Sequence, residues 1–72
     1  MTELGLFLAK KTVNKAEVSR RTGISTSRLS ELSLKESAHL RAKELYLIAL
    51  AIDVEPCELL TEVFKDIKLE GV

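Results

Sequence analysis

A single cysteine, Cys57, leaves this chain no internal disulfide, and no histidine or cysteine stands near it at metal-ligand spacing. A reducing compartment is the simple expectation, with Cys57 as a small buried apolar residue. Long apolar runs are missing too. The longest near the N-terminus is Leu6–Ala9, far short of a signal-peptide core or a membrane span, so a cytoplasmic protein with no membrane association is expected. Paired carboxylates and a glycine-rich phosphate loop are absent, and the one histidine, His39, lies far from Cys57 in sequence. His39 reads as an ordinary loop or helix-start residue. These absences argue against an enzyme and imply neither cofactor nor metal. Aromatics are few, repeats and low-complexity segments do not occur, and net charge is zero, which argues against a generic nucleic-acid binder.

What is present is helical. Nearly half of the 72 residues are apolar and almost a third are charged, the balance of a folded chain rather than a disordered one, and the length suits one domain spanning 1–72. A domain that small is marginal in stability and would gain from a partner copy. Its charge is segregated: residues 1–43 hold nine basic and four acidic side chains, residues 44–72 two basic and seven acidic. One half therefore suits a polyanion and the other is kept from it.

The most informative stretch is Asn14–Leu32, NKAEVSRRTGISTSRLSEL, two short helical patterns broken by one glycine. Val18, Thr22, Ile24, Leu29 and Leu32 are spaced to turn inward where two helices cross steeply, and Ser19 is small enough for the close approach there. Gly23 suits a helix end that needs positive φ. Asn14 with Glu17 three residues on reads as a capping box, so a helix starts near Lys15. Ser25 caps the next helix, whose remaining positions Thr26, Ser27, Arg28, Ser30 and Glu31 are short or polar. A merely solvated face would more often carry stronger helix formers.

Around this unit the pattern stays helical. Thr2 caps a first helix reaching about Lys11, with Leu4, Phe7 and Leu8 on one face and Gly5 weakening it slightly. Ser33–His39 reads as loop. A fourth helix runs from about Arg41 to Ile52, apolar on every side from Tyr46, and Asp53 is placed as its C-terminal cap. Full burial is difficult in so small a domain, so Leu47 and Leu50 are expected at an interface with another chain. Pro56 suits the first turn of a last helix, with Glu55 and Glu58 at the positive end of its dipole. Its stripe of Leu59, Leu60, Val63, Phe64 and Ile67 outruns what a five-helix core needs, which adds Phe64 and Ile67 to the expected dimer contacts.

Two segments, VNKAEVSRRTGISTSRLSEL from Val13 and LYLIALAIDVEPCELL from Leu45, carry a resemblance to the Cro and lambda-repressor-like helix-turn-helix family of phage and bacterial regulators. It covers roughly Leu4–Leu60. The resemblance implies an all-α bundle of about five short helices whose third helix, about residues 26–33, enters the major groove by its N-terminal end. Thr26, Ser27 and Glu31 then fall where base edges are met, with Ser30 beside them. Lys15 falls where a helix start holds phosphate, and Lys35, in the loop after the reading helix, is placed for the same backbone. Ser25, Arg28 and Arg21 complete the expected phosphate contacts. Of Arg20 and Arg21 only one is expected on DNA, a solvated face being the alternative. Family members often pair an arginine on the first helix with a glutamate after the third; here Leu8 and Ser33 stand there, as a replaced ion pair would. The family's glycine just beyond is missing, and Asp53 stands where glycine is usual.

Glu31 has two readings. Facing DNA, a carboxylate is tolerable if it accepts from cytosine N4; otherwise it pairs with Arg28 or Lys35 at helical spacing. The expected function is a small sequence-specific transcriptional regulator, repressor-like, binding double-stranded DNA as a homodimer on a palindromic operator. The alternative is an antitoxin or adaptor whose apolar, acidic C-terminal half holds a protein partner such as a toxin or another regulator. A weaker third reading keeps the fold without DNA binding.

Overall fold

The computed structural model describes residues 1–71; Val72, the last residue of the expected domain, lies outside the described residues. Five helices form, α1 Glu3–Lys10, α2 Lys15–Thr22, α3 Thr26–Leu34, α4 Ala42–Ala51 and α5 Pro56–Val63, with no strand among the described residues. Each helix packs on two others, so the contacts close in a ring running α1, α3, α2, α4, α5 and back to α1. Inside the ring lies one core. Leu4, Phe7 and Leu8 meet Val18, Ile24, Leu29, Leu32, Leu45, Ile48, Ala49, Val54 and Leu59, with Leu29, Ile48 and Leu59 fully enclosed.

Local chemistry sets the helix starts. Thr2 Oγ1 accepts from the Gly5 amide at 3.0 Å, and Asn14 Oδ1 from Ala16 and Glu17 at 2.8 and 3.3 Å. Ser25 Oγ accepts from Arg28, and Glu55 from Cys57, with Pro56 opening α5 where its missing amide costs nothing. The capping box expected at Asn14 is only half made. Glu17 turns forward to Arg20 and Arg21, because two cations one turn on attract its carboxylate more strongly than the neutral Asn14 amide.

Two helices end in the same left-handed device. After α4, Asp53 at φ 58° and Val54 donate to Leu50 and Ala49, the paired bonds of a Schellman motif, and buried Val54 supplies its apolar contact. After α1, Thr12 at φ 55° and Val13 donate to Ala9 and Leu8 in the same way. A β-branched residue in that conformation is uncommon.

The structure corrects several expectations. Cys57 is exposed, not buried: it stands in the first turn of α5, and the helix turns Leu59 rather than Cys57 inward. α3 runs one residue past Ser33, to Leu34, and Lys35 is extended at its end. Gly5 is more than a weak spot in α1. An added Cβ would lie 3.1 Å from the Ser33 carbonyl carbon and closer still to its oxygen, so the glycine is what lets α1 reach the end of α3. Thr2 locks that approach, its amide donating to Ser33 O at 2.9 Å and its hydroxyl to Leu32 O at 2.7 Å. Leu8 and Ser33 are both buried, without charge; Ser33 Oγ bonds back to Leu29 O at 2.8 Å.

Candidate nucleic-acid interface

α2 and α3 are joined by Gly23, Ile24 and Ser25, with Gly23 at φ 80° in the left-handed region and its amide bonded to Ser19 O. Thr22 stiffens the turn: its hydroxyl donates to Val18 O at 2.7 Å and accepts from the Ile24 amide at 3.1 Å. Ile24 is thereby driven into the core, and α3 leaves the turn with Leu29 and Leu32 inward. Its other face is left to solvent. Thr26 and Ser27 are exposed, Ser30 and Glu31 half-buried, and all four share one open surface depression with Arg28, Leu34 and Lys35. Ser25 and Ser33 spend their hydroxyls on backbone, but no such bond holds those of Thr26, Ser27 or Ser30 among the described residues.

The remaining expected DNA contacts fall in different settings. Lys15 is the first residue of α2 and half-buried, while Lys35 is exposed at the far end of the depression. Arg21 is half-occupied with structure, its guanidinium donating to Glu17 at 3.2 Å and to Ala51 O, at the end of α4, at 3.2 Å. Arg28 is more deeply committed. Nε donates to Glu44 Oε2 at 2.9 Å and Nη2 to Glu44 Oε1 at 3.1 Å, Nη1 meets Glu31 Oε1 at 2.7 Å, and Nη2 also reaches His39 O at 2.7 Å. This guanidinium joins α3 to α4 and to the loop between them.

That network has electrostatic consequences. The hydrogen bonds from Arg28 hold the Glu44 carboxyl below the usual carboxylate range, against a burial effect of opposite sign, with the Arg41 amide assisting at 3.0 Å. Arg28 is in turn driven above its already high ordinary value by bonds first to Glu44 and then to Glu31. Both residues stay charged throughout the neutral range.

Sequence reasoning missed two members of this surface. Leu34, 58 % exposed at the end of α3, is an apolar residue inside a stretch read as polar loop, which was its only signal. Glu44 carries no local signal of its role, because nothing nearby in sequence connects it to Arg28 sixteen residues earlier. Among the expected dimer residues, Leu50, Phe64 and Ile67 are exposed and Leu47 is half-buried. Tyr46 and Leu60 are also open, at 55 % and 49 %.

A glycine turn with both flanking helices packed on a common core, and the second helix offering a polar face, define a helix-turn-helix protein. The chain belongs to the Cro/C1-type HTH DNA-binding domain family, whose model matches residues 3–65. Comparison with curated proteins gives no match, and neither does comparison with solved structures. Membership makes the chain a DNA-binding regulator from a family that is not enzymatic. No helix among the described residues is long and apolar enough to cross a membrane.

Proposed function

We propose that the chain is a sequence-specific transcriptional repressor that acts as a homodimer, residues 1–72 forming one DNA-binding domain. α3 enters the major groove with Thr26, Ser27, Ser30 and Glu31 toward base edges. The observation that carries this reading is the contrast along α3 itself. Leu29, Leu32 and Ser33 are buried while Thr26 and Ser27 opposite are exposed, and among the described residues no hydrogen bond holds their hydroxyls or that of half-buried Ser30. Short side chains keep the helix backbone near the bases and leave room for bridging waters.

In this reading Lys15, Ser25, Lys35 and Arg21 hold the phosphates of the two strands, Lys35 from the depression itself and Ser25 from the start of α3, while Arg28 stays within its ion pairs. In this reading a second copy is held through Leu47, Leu50, Phe64 and Ile67, with exposed Tyr46 and Leu60 as further apolar candidates, and a palindrome with half-sites about 34 Å apart matches two reading helices in successive major grooves. The same positions suit a different protein, a toxin or another regulator, if the chain serves as an antitoxin or adaptor.

Selection of bound duplexes from a random pool, with sedimentation of the free and bound protein, tests the reading. Enrichment of an inverted repeat by a dimer is the expected result. Failure to enrich any sequence at low salt would remove the repressor reading, and a monomer that enriches single half-sites would remove the homodimer.

A further inference from the structure

Four hydrogen bonds commit Arg28, and they leave its guanidinium a single N–H. Turning to a phosphate would mean leaving Glu44, whose side chain is 14 % exposed, as a mostly enclosed carboxylate without its cation. Glu31 gains from the opposite arrangement. One of its oxygens is held by Arg28, the cation offsets repulsion from DNA phosphates, and the side chain remains 42 % exposed in the depression beside Ser27 and Ser30.

Resting on the DNA-binding reading above, we propose that Arg28 is a positioning residue whose ion pair aims Glu31, and that Glu31 selects a cytosine in the operator. A carboxylate offers acceptors only, so its base must present a donor in the major groove. Guanine presents N7 and O6 and thymine O4, all acceptors, and they repel it. Adenine offers its amino group between its own N7 and the thymine O4 of its pair. The cytosine amino group has an acceptor on one side only, so it is the donor a fixed carboxylate reaches with least repulsion.

Operator selection run in parallel on the wild-type chain, Glu31→Gln, Arg28→Lys and Arg28→Gln tests this. The wild type should enrich one C·G pair per half-site, and Glu31→Gln should turn that position toward adenine while leaving the others, with discrimination for cytosine reduced by roughly ten- to hundredfold. Arg28→Lys keeps a cation but loses the fork that spans Glu44 and Glu31, so it should blur the same position without changing the salt dependence of binding. Arg28→Gln should likewise leave the salt slope intact. A slope lowered by about one per chain in Arg28→Gln would make Arg28 a phosphate contact and overturn its positioning role. A wild-type site whose every position ignores Glu31→Gln overturns the cytosine assignment and leaves the regulator standing. If the wild type enriches nothing, both readings fall.

Discussion

Gly5→Ala separates a local from a tertiary account of α1 by the sign of its effect. Helix propensity alone predicts a gain of about 1 kcal/mol for alanine inside a helix. The structure predicts a loss. The new methyl would press on the Ser33 carbonyl, a backbone group already fixed by the Thr2 amide at 2.9 Å, and would fall 2.6 Å from Met1 Cγ. A side chain such as Met1 can swing aside, but the carbonyl can yield only if α1 and α3 separate. Overpacking of this kind costs about 1–3 kcal/mol, and each weakened Thr2 bond to the end of α3 adds about 1 kcal/mol. Offset by propensity, the net loss is about 2 kcal/mol, a fall in Tm on the order of 10 °C for a chain this short. Urea and thermal unfolding followed by far-ultraviolet circular dichroism measure it. An alanine variant as stable as the parent, or more so, would refute the claim that glycine is required for the contact between α1 and α3. Because that contact places the far end of the reading helix, a folded Gly5→Ala chain should also bind its selected operator less tightly.

Other outcomes follow from the same structure. Asp53→Gly and Thr12→Gly place glycine at the left-handed ends of α4 and α1, and each should raise the stability read from urea unfolding, by up to about 1 kcal/mol and by more at Thr12, whose branched Cβ fits that conformation worse. Because Arg28 holds the folded-state pKa of Glu44 below its unfolded value, this pair contributes stability above the unfolded value and loses it as pH falls through the depressed one. Urea midpoints should therefore drop from about pH 5 downward, and Glu44→Gln, less stable at neutral pH, should show a shallower drop; parallel curves would count against the pair. Lys15→Ala and Lys35→Ala should each reduce the steepness of log affinity against log salt by about one per contact removed, with the selected sequence unchanged. An altered sequence preference in either would place that lysine at a base instead.

What the sequence determined was whatever a few neighbouring residues decide. The caps at Thr2, Asn14 and Ser25, the proline opening α5 and the left-handed turn at Gly23 all act within one turn of chain, and all stand where the pattern put them. The inward set Val18, Ile24, Leu29 and Leu32 follows from helical period, and the polar face of α3 follows with it. Even so, competition between two local partners, as at Glu17, was not decided by spacing. Tertiary structure settled the rest. Gly5 meets Ser33 and Arg28 meets Glu44 because helices distant in sequence are brought together by a shared core, and no periodicity records which face of α1 touches α3 or which acid lies beside a given arginine. The exposure of Cys57 and Leu34 has the same origin. A residue's type says that burial would be favourable, but only the packing of the other elements says whether anything is there to cover it.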